Sequence, residues 1–135
     1  MSTVAAGMFS DLDHACASLA AAKSRKTDPN NLFDLRELVA AGVAVRLVGE
    51  GGETVGGYVV KPYGRALWIT VAAGRADIAL CPVIDAHATE QARRGGYEAV
   101  GFRTTRRGLV DRAARLGYEL ARLDGCTYYM RKTIK

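Results

Sequence analysis

The sequence predicts an α+β chain: one twisted, mixed but mostly antiparallel sheet of about six strands, with helices on both faces. Three observations carry this. The apolar period changes from helical to alternating near Gly42. Three strand-like runs then follow, joined by turns too short for crossover helices. The second half alternates helix and strand before closing on a hairpin. Its 135 residues suit a single domain, 1–135, with one core.

Ser10, with Asp13 three residues later, marks a helix start, and Leu12, Cys16 and Leu19 form its apolar stripe through about Ala22. His14 falls off that stripe and reads as solvated. "KSRKTDPNN" is a polar connector with a turn at Asp28-Pro29, and Asn31 caps a second helix over 32–41, stopped by Gly42. "VAVRLVGE" alternates around Val43, Val45 and Leu47. "GEGGE" is a turn, "TVGGYVVK" a strand, and "PYGR" another turn. "ALWITVAA" is continuously apolar, as expected of a strand covered on both faces.

A helix follows with Pro82 in its first turn, where a missing N–H costs nothing. Leu80, Ile84, Ala88 and Ala92 share one side, and "RRGG" ends it. "YEAVGFRT" is a strand. "RRGLVDRAARLG" is a helix with Leu109, Val110, Ala113 and Leu116 inward, Arg112 and Arg115 outward. "YELARL" and "CTYYMRKTI" close the chain around Asp124-Gly125. No strand signal precedes the first helix, so an open sheet edge is expected there, available to another copy or partner.

No apolar run approaches the roughly 18 residues of a membrane span. The alanine-rich stretch 1–22 is interrupted by Asp11, Asp13 and His14 and has no basic start, so no secretory signal is read and a cytoplasmic location is expected. Cys16, Cys81 and Cys126 are odd in number and widely spaced, which predicts apolar fillers rather than disulfides or a metal site. From Arg93 onward, 11 Lys/Arg face four Asp/Glu, whereas residues 1–92 hold eight basic and ten acidic side chains. A basic C-terminal third suits an anionic partner or a solvated face. Interleaved exposed aromatics and known binding motifs are not evident, which disfavours nucleic acid.

The pieces "LWITV", "AAGRADIALC", "PVIDAHATEQARRGG", "YEAVGFRT", "RRGLVDRAARLGY" and "ELARLDGCTYYMRK" occur in the order found in the GNAT superfamily of N-acetyltransferases. The chain resembles that family from about residue 32 to its end, and "GETVGGYVV" resembles the family's third strand. The resemblance implies acetyl-CoA as acyl donor and an amine of a small molecule or peptide as acceptor; the cysteine spacing and the lack of an HExxH motif predict no metal. It also implies a pyrophosphate loop with the signature Arg/Gln-x-x-Gly-x-Gly/Ala between strand and helix. With Val71 on the family's strand-end valine, the signature positions fall on Ala76, Ala79 and Cys81, and Arg75 stands beside the first. The coenzyme-binding candidates are thus Val71, Ala73, Arg75, Ala76, Ala79 and Cys81. Arg106 and Arg107 join them at the start of the last helix, which in the family lies near the adenosine and 3′-phosphate.

Backbone N–H groups at a helix N-terminus bind pyrophosphate with help from the helix dipole, and glycine lets them approach closely. Alanine and cysteine keep the loop slim; where it requires positive φ, each Cβ costs about 1 kcal/mol. The stretch therefore reads either as a working cradle or as its structural remnant.

Acyl transfer to an amine needs a base, an acid for the leaving thiolate and a donor to the oxyanion. The family's tyrosine acid, counted back from Gly117-Tyr118, would stand at Ala113, and "LWITVAA" carries no carboxylate. Glu50 and Glu53 read as solvated turn residues, His87 as packed and Trp68 as core. Tyr128 and Tyr129 alternate, one buried and one exposed. The catalytic residues are unassigned. Arg93, Arg94, Arg103, Arg106, Arg107, Arg112 and Arg115 form the strongest remaining signal. Two functions follow: an acetyl-CoA-dependent N-acyltransferase-like protein, or a non-catalytic GNAT-like module such as a bacteriophage virion or head-assembly protein, with a virion location.

Overall fold

The alternation that begins after Gly42 becomes the middle of a seven-stranded sheet in the computed structural model, which describes residues 5–9, 12–19, 39–74 and 80–134. In chain order the elements are β1 (Ala5–Met8), α1 (Leu12–Leu19), β2 (Val43–Val48), β3 (Thr54–Tyr63) and β4 (Ala66–Gly74). Then come α2 (Leu80–Arg94), β5 (Ala99–Thr104), α3 (Arg107–Ala114), β6 (Glu119–Asp124) and β7 (Thr127–Thr133). The strand order is β1-β2-β3-β4-β5-β7-β6, and among the described residues only β4 and β5 run parallel.

The expected meander is present: β2, β3 and β4 pair antiparallel in succession. The expected open edge beside β2 is not. β1 fills it, from Ala5↔Val48 to Met8↔Val45, so the sheet has seven strands rather than about six. β1 is four residues of small and apolar side chains with no alternation to read, and its existence depends on backbone pairing with β2. The expected helix over 32–41 is described only at residues 39–41, which are helical and end at Gly42; Ser10, Asp28, Pro29 and Asn31 lie outside the described residues.

Strand alternation divides the core between two faces. On one, Leu47, Tyr58, Val60, Leu67, Val100 and Met130 pack against Ile84, Ala88 and Ala92 of α2 and Ala113 of α3. On the other, Ala15 and Leu19 of α1 pack with Val39 on Val59 and Val71. The register shifts between Val59 and Val60, which oppose Val71 and Ile69, so Thr70 is an extra residue in β4. That bulge lets Ile69 face α2 and Val71 face α1. α1 can approach β3 because residue 57 is glycine. A Cβ there would lie 2.8 Å from Phe9 Cζ and 3.3 Å from Leu19 Cδ2.

Several side chains differ from expectation. His14 is half-buried and meets the Phe9 ring edge-on at 5.2 Å. Cys126 is exposed at the last hairpin and so is no core filler, while Cys81 is half-buried. Trp68 is half-buried on the face opposite Leu67, and Tyr128 and Tyr129 are both half-buried although they do alternate. Among the described residues no helix is long and apolar enough to cross a membrane.

Candidate functional site

β4 and β5 stay together for four residues only, from Ala66↔Ala99 to Ile69↔Phe102. Beyond Ile69, β4 continues to Gly74 paired with β3 alone. The Thr70 bulge falls at this parting. From there on, the β5-side edge of β4 has no strand partner among the described residues, and such an edge carries backbone donors and acceptors. The result is a notch between two parallel strands that diverge.

α2 begins beside the notch. Leu80, Cys81 and Pro82 form its first turn, so Pro82 removes one of the N–H groups that a helix head leaves unsatisfied. The remaining amides and the helix dipole make this end attractive to anions. α3 begins at Arg107 after Arg106, whose backbone is extended (φ −95°, ψ 109°) and whose N–H donates to Thr104 Oγ1 at 3.0 Å. No side chain caps α3, and Arg106 and Arg107 are exposed at its head.

Of the candidates named from sequence, Val71 is buried under α1 and Ala73 pairs with Gly57, both on the stretch of β4 that pairs with β3 alone. Cys81 is half-buried in the first turn of α2. Arg75, Ala76 and Ala79 lie outside the described residues. The seven-arginine cluster does not persist as one patch. Arg93 and Arg94 both pair with Glu90, at 2.7 and 3.1 Å, in the last turn of α2, about 20 Å from its head. Those two partners, Arg94 first, hold the Glu90 carboxyl below its ordinary range. Arg103 shares a strand face with Tyr129, away from α3. Arg112 and Arg115 are exposed on and just after α3.

Sequence reasoning missed one cluster beneath α2. The Asp85 carboxylate accepts hydrogen bonds from Thr89 Oγ1, at 3.2 Å, and from Lys132 Nζ of β7. Lys132 Nζ lies 5.2 Å from the Tyr118 ring centre. Burial first, and then Asp85, pushes the Tyr118 hydroxyl far above its ordinary pKa; Cys81 adds to the effect. Asp85 and Lys132 are 47 residues apart, and only the Asp85/Thr89 spacing of one helical turn was visible beforehand. The cluster fastens α2 to β7 close to the helix head. Ala113, the position counted from sequence as the place of a tyrosine acid, is 3% exposed and packed in the core. Among the described residues, no group of three His, Cys, Asp or Glu side chains forms a metal site.

No protein-family model matches the sequence, and no curated protein matches it. Solved structures do. An acetyltransferase from Bacillus subtilis in complex with CoA matches over 100% of both chains, with a TM-score of 0.73 and 13% identity. An IAA acetyltransferase from Bacillus cereus has a TM-score of 0.75 and 13% identity over 98% of this chain and 100% of the other. A GNAT family acetyltransferase from Elizabethkingia anophelis with acetyl-CoA bound has a TM-score of 0.71 and 12% identity over 98% of each. The mixed seven-stranded sheet is therefore a GNAT-like fold. The order of elements from β2 onward agrees with the expectation drawn from the sequence.

Proposed function

We propose that this chain binds the coenzyme A thioester of an acyl group and presents it to an amine. One observation carries the reading: β4 parts from β5 at Ile69 beside a helix head, within a fold whose solved examples hold CoA and acetyl-CoA. The residues present fit such a group. The head of α2 offers amides and a dipole to pyrophosphate, Cys81 keeps that turn slim, and Arg106 and Arg107 offer cations to a further phosphate. Arg75, Ala76 and Ala79 complete the proposed loop, and Val71 and Ala73 form the strand wall.

Bound there, a coenzyme A thioester supplies a carbonyl activated for attack by an amine. The chain's contribution is positioning, together with hydrogen-bond donors on the unpaired edge of β4 aimed at a developing oxyanion. β4 carries no carboxylate and Ala113 no proton, so its described residues add no acid or base at those two positions. That buried alanine favours a second reading, a module that holds the coenzyme without turning it over.

Titration with acetyl-CoA tests the reading. Occupancy at 100 times Kd stabilises the fold by about 2.7 kcal/mol, so the melting temperature rises by several degrees. Cys81→Trp fills the helix head and abolishes the rise, and Arg107→Glu weakens it. No shift at millimolar acetyl-CoA overturns the proposal. Binding without release of free thiol in the presence of amines selects the non-catalytic module.

A further inference from the structure

The face of the sheet that carries α1 is covered over β3 and β4 by that helix. Further along, the same face presents an aromatic and cationic surface that no described helix covers. Trp68 lies between two tyrosines, with ring centres 5.7 Å from Tyr63 and 6.4 Å from Tyr129. The rings are tilted by 45° and 36° rather than edge-on, so together they form a continuous shelf. Gly101 makes the shelf possible: a Cβ there would lie 2.1 Å from the Trp68 ring. The shelf floors a basin of about 350 Å³, whose rim includes Arg65, Arg122 and Arg131.

The cations are of two kinds. Arg65 pairs with Glu98 at 3.1 Å, and Arg122 pairs with Asp124 at 3.0 Å while lying 5.1 Å from the Tyr129 ring centre. Arg131, Arg103 and Lys61 are exposed and form no ion pair among the described residues. Arg103 stands opposite Tyr129 in register, and Lys61 opposite Trp68. The exposed Glu119, opposite Arg131, joins Glu98 and Asp124 as an acidic side chain on this surface. Cations thus extend past the basin along the sheet.

We infer that this shelf binds single-stranded nucleic acid. Aromatic faces stack bases without regard to sequence, and flanking arginines and lysines follow the phosphate backbone. Charge argues against a second copy as occupant, since self-docking would press matching cations together on a chain of net charge +5. A single small anion would leave Arg103 and Lys61 unused. The inference is independent of coenzyme binding, which concerns the notch and the heads of α2 and α3. It also reverses an expectation: the interleaved aromatics that the sequence does not display are assembled by the fold from positions 63, 68 and 129.

Trp68 is the chain's single tryptophan, so its fluorescence reports the shelf directly. Titrating the full chain with a fluorescein-labelled 12-nucleotide oligo(dT) or oligo(U) at low salt should quench Trp68 and raise the label's anisotropy together. Tyr129→Ala should weaken binding about fivefold to 150-fold, the range of one lost base stack. Tyr63 is 74% exposed, so Tyr63→Ala keeps the fold and should still weaken binding. Arg131→Glu should weaken binding and flatten its salt dependence, whereas Arg93→Glu, an equal charge change on α2 across the sheet from the shelf, should have the smaller effect. No quenching up to about 1 mM oligonucleotide at low salt, beyond the roughly 10⁻⁴ M limit of non-specific binding, overturns the inference. So does equal binding of duplex DNA or poly-glutamate, or equal loss from Arg93→Glu and Arg131→Glu.

Discussion

The two faces of this sheet are written by the same strands and differ in almost everything else. Toward α2, Leu67, Val100 and Met130 are between 0% and 4% exposed and lock into two helices. Toward the opposite side, their neighbours Trp68, Gly101 and Tyr129 build a surface that only other side chains border. Strand periodicity of two produces both at once. The difference teaches that a continuously apolar run does not by itself mean burial on both faces. "ALWITVAA" predicted that for β4, yet Trp68, its third residue, ends half-buried beside a basin.

The largest expected effect breaks the covered face. Asp85→Ala leaves the Lys132 ammonium, 14% exposed, without its carboxylate. Losing one partner of such a pair costs about 3–5 kcal/mol, read from denaturant unfolding. The double change Asp85→Leu with Lys132→Met should recover most of that, because well-packed apolar replacements for a buried pair are often neutral or better. No recovery would mean that the cluster does more than fasten α2 to β7.

A smaller effect is expected on the open face. Gly101→Val drives a branched side chain into the Trp68 ring, and overpacking of this kind costs about 1–3 kcal/mol. The same variant should shift Trp68 emission to the red as the ring leaves its seat. Unchanged emission would show that the ring does not rest on residue 101.

The smallest effect sharpens the comparison through pH. Burial raises the Tyr58 hydroxyl to about 12, while its proton bonds Gln91 Oε1 at 3.1 Å on α2. Between pH 10 and 12 the unfolded chain loses this proton and the folded chain keeps it, so stability falls as pH rises through that window. Tyr118, buried on the same face, acts in the same direction. Tyr58→Phe should therefore flatten the decline of melting temperature above pH 10. An identical slope in the variant would show that Tyr58 does not contribute.

Much of the frame was legible because it rests on local signals. Tight turns fixed the meander of β2 to β4, Pro82 and the Ile84/Ala88/Ala92 spacing fixed α2, and Asp124-Gly125 fixed the last hairpin. β1 was not legible, since Ala5–Met8 has no pattern and gains its identity from Val45–Val48 forty residues on. The site was legible only as an order of elements. Its notch arises from where pairing stops, at Ile69↔Phe102, and no residue type encodes that. The arginines misled for a related reason: neighbours in sequence such as Arg103 and Arg107 belong to a strand face and a helix head on different sides of the sheet.

The short parallel join between β4 and β5 has a mechanical consequence. Four strands lie on one side of it and three on the other, held by a seam only four residues long. α2 packs on β3, β4 and β5 and so spans that seam like a brace. To pry the two assemblies apart, the brace must first lift. A ligand that gripped its leading end would therefore tighten the joint as well, so that occupancy of the notch and cohesion of the sheet would become a single property.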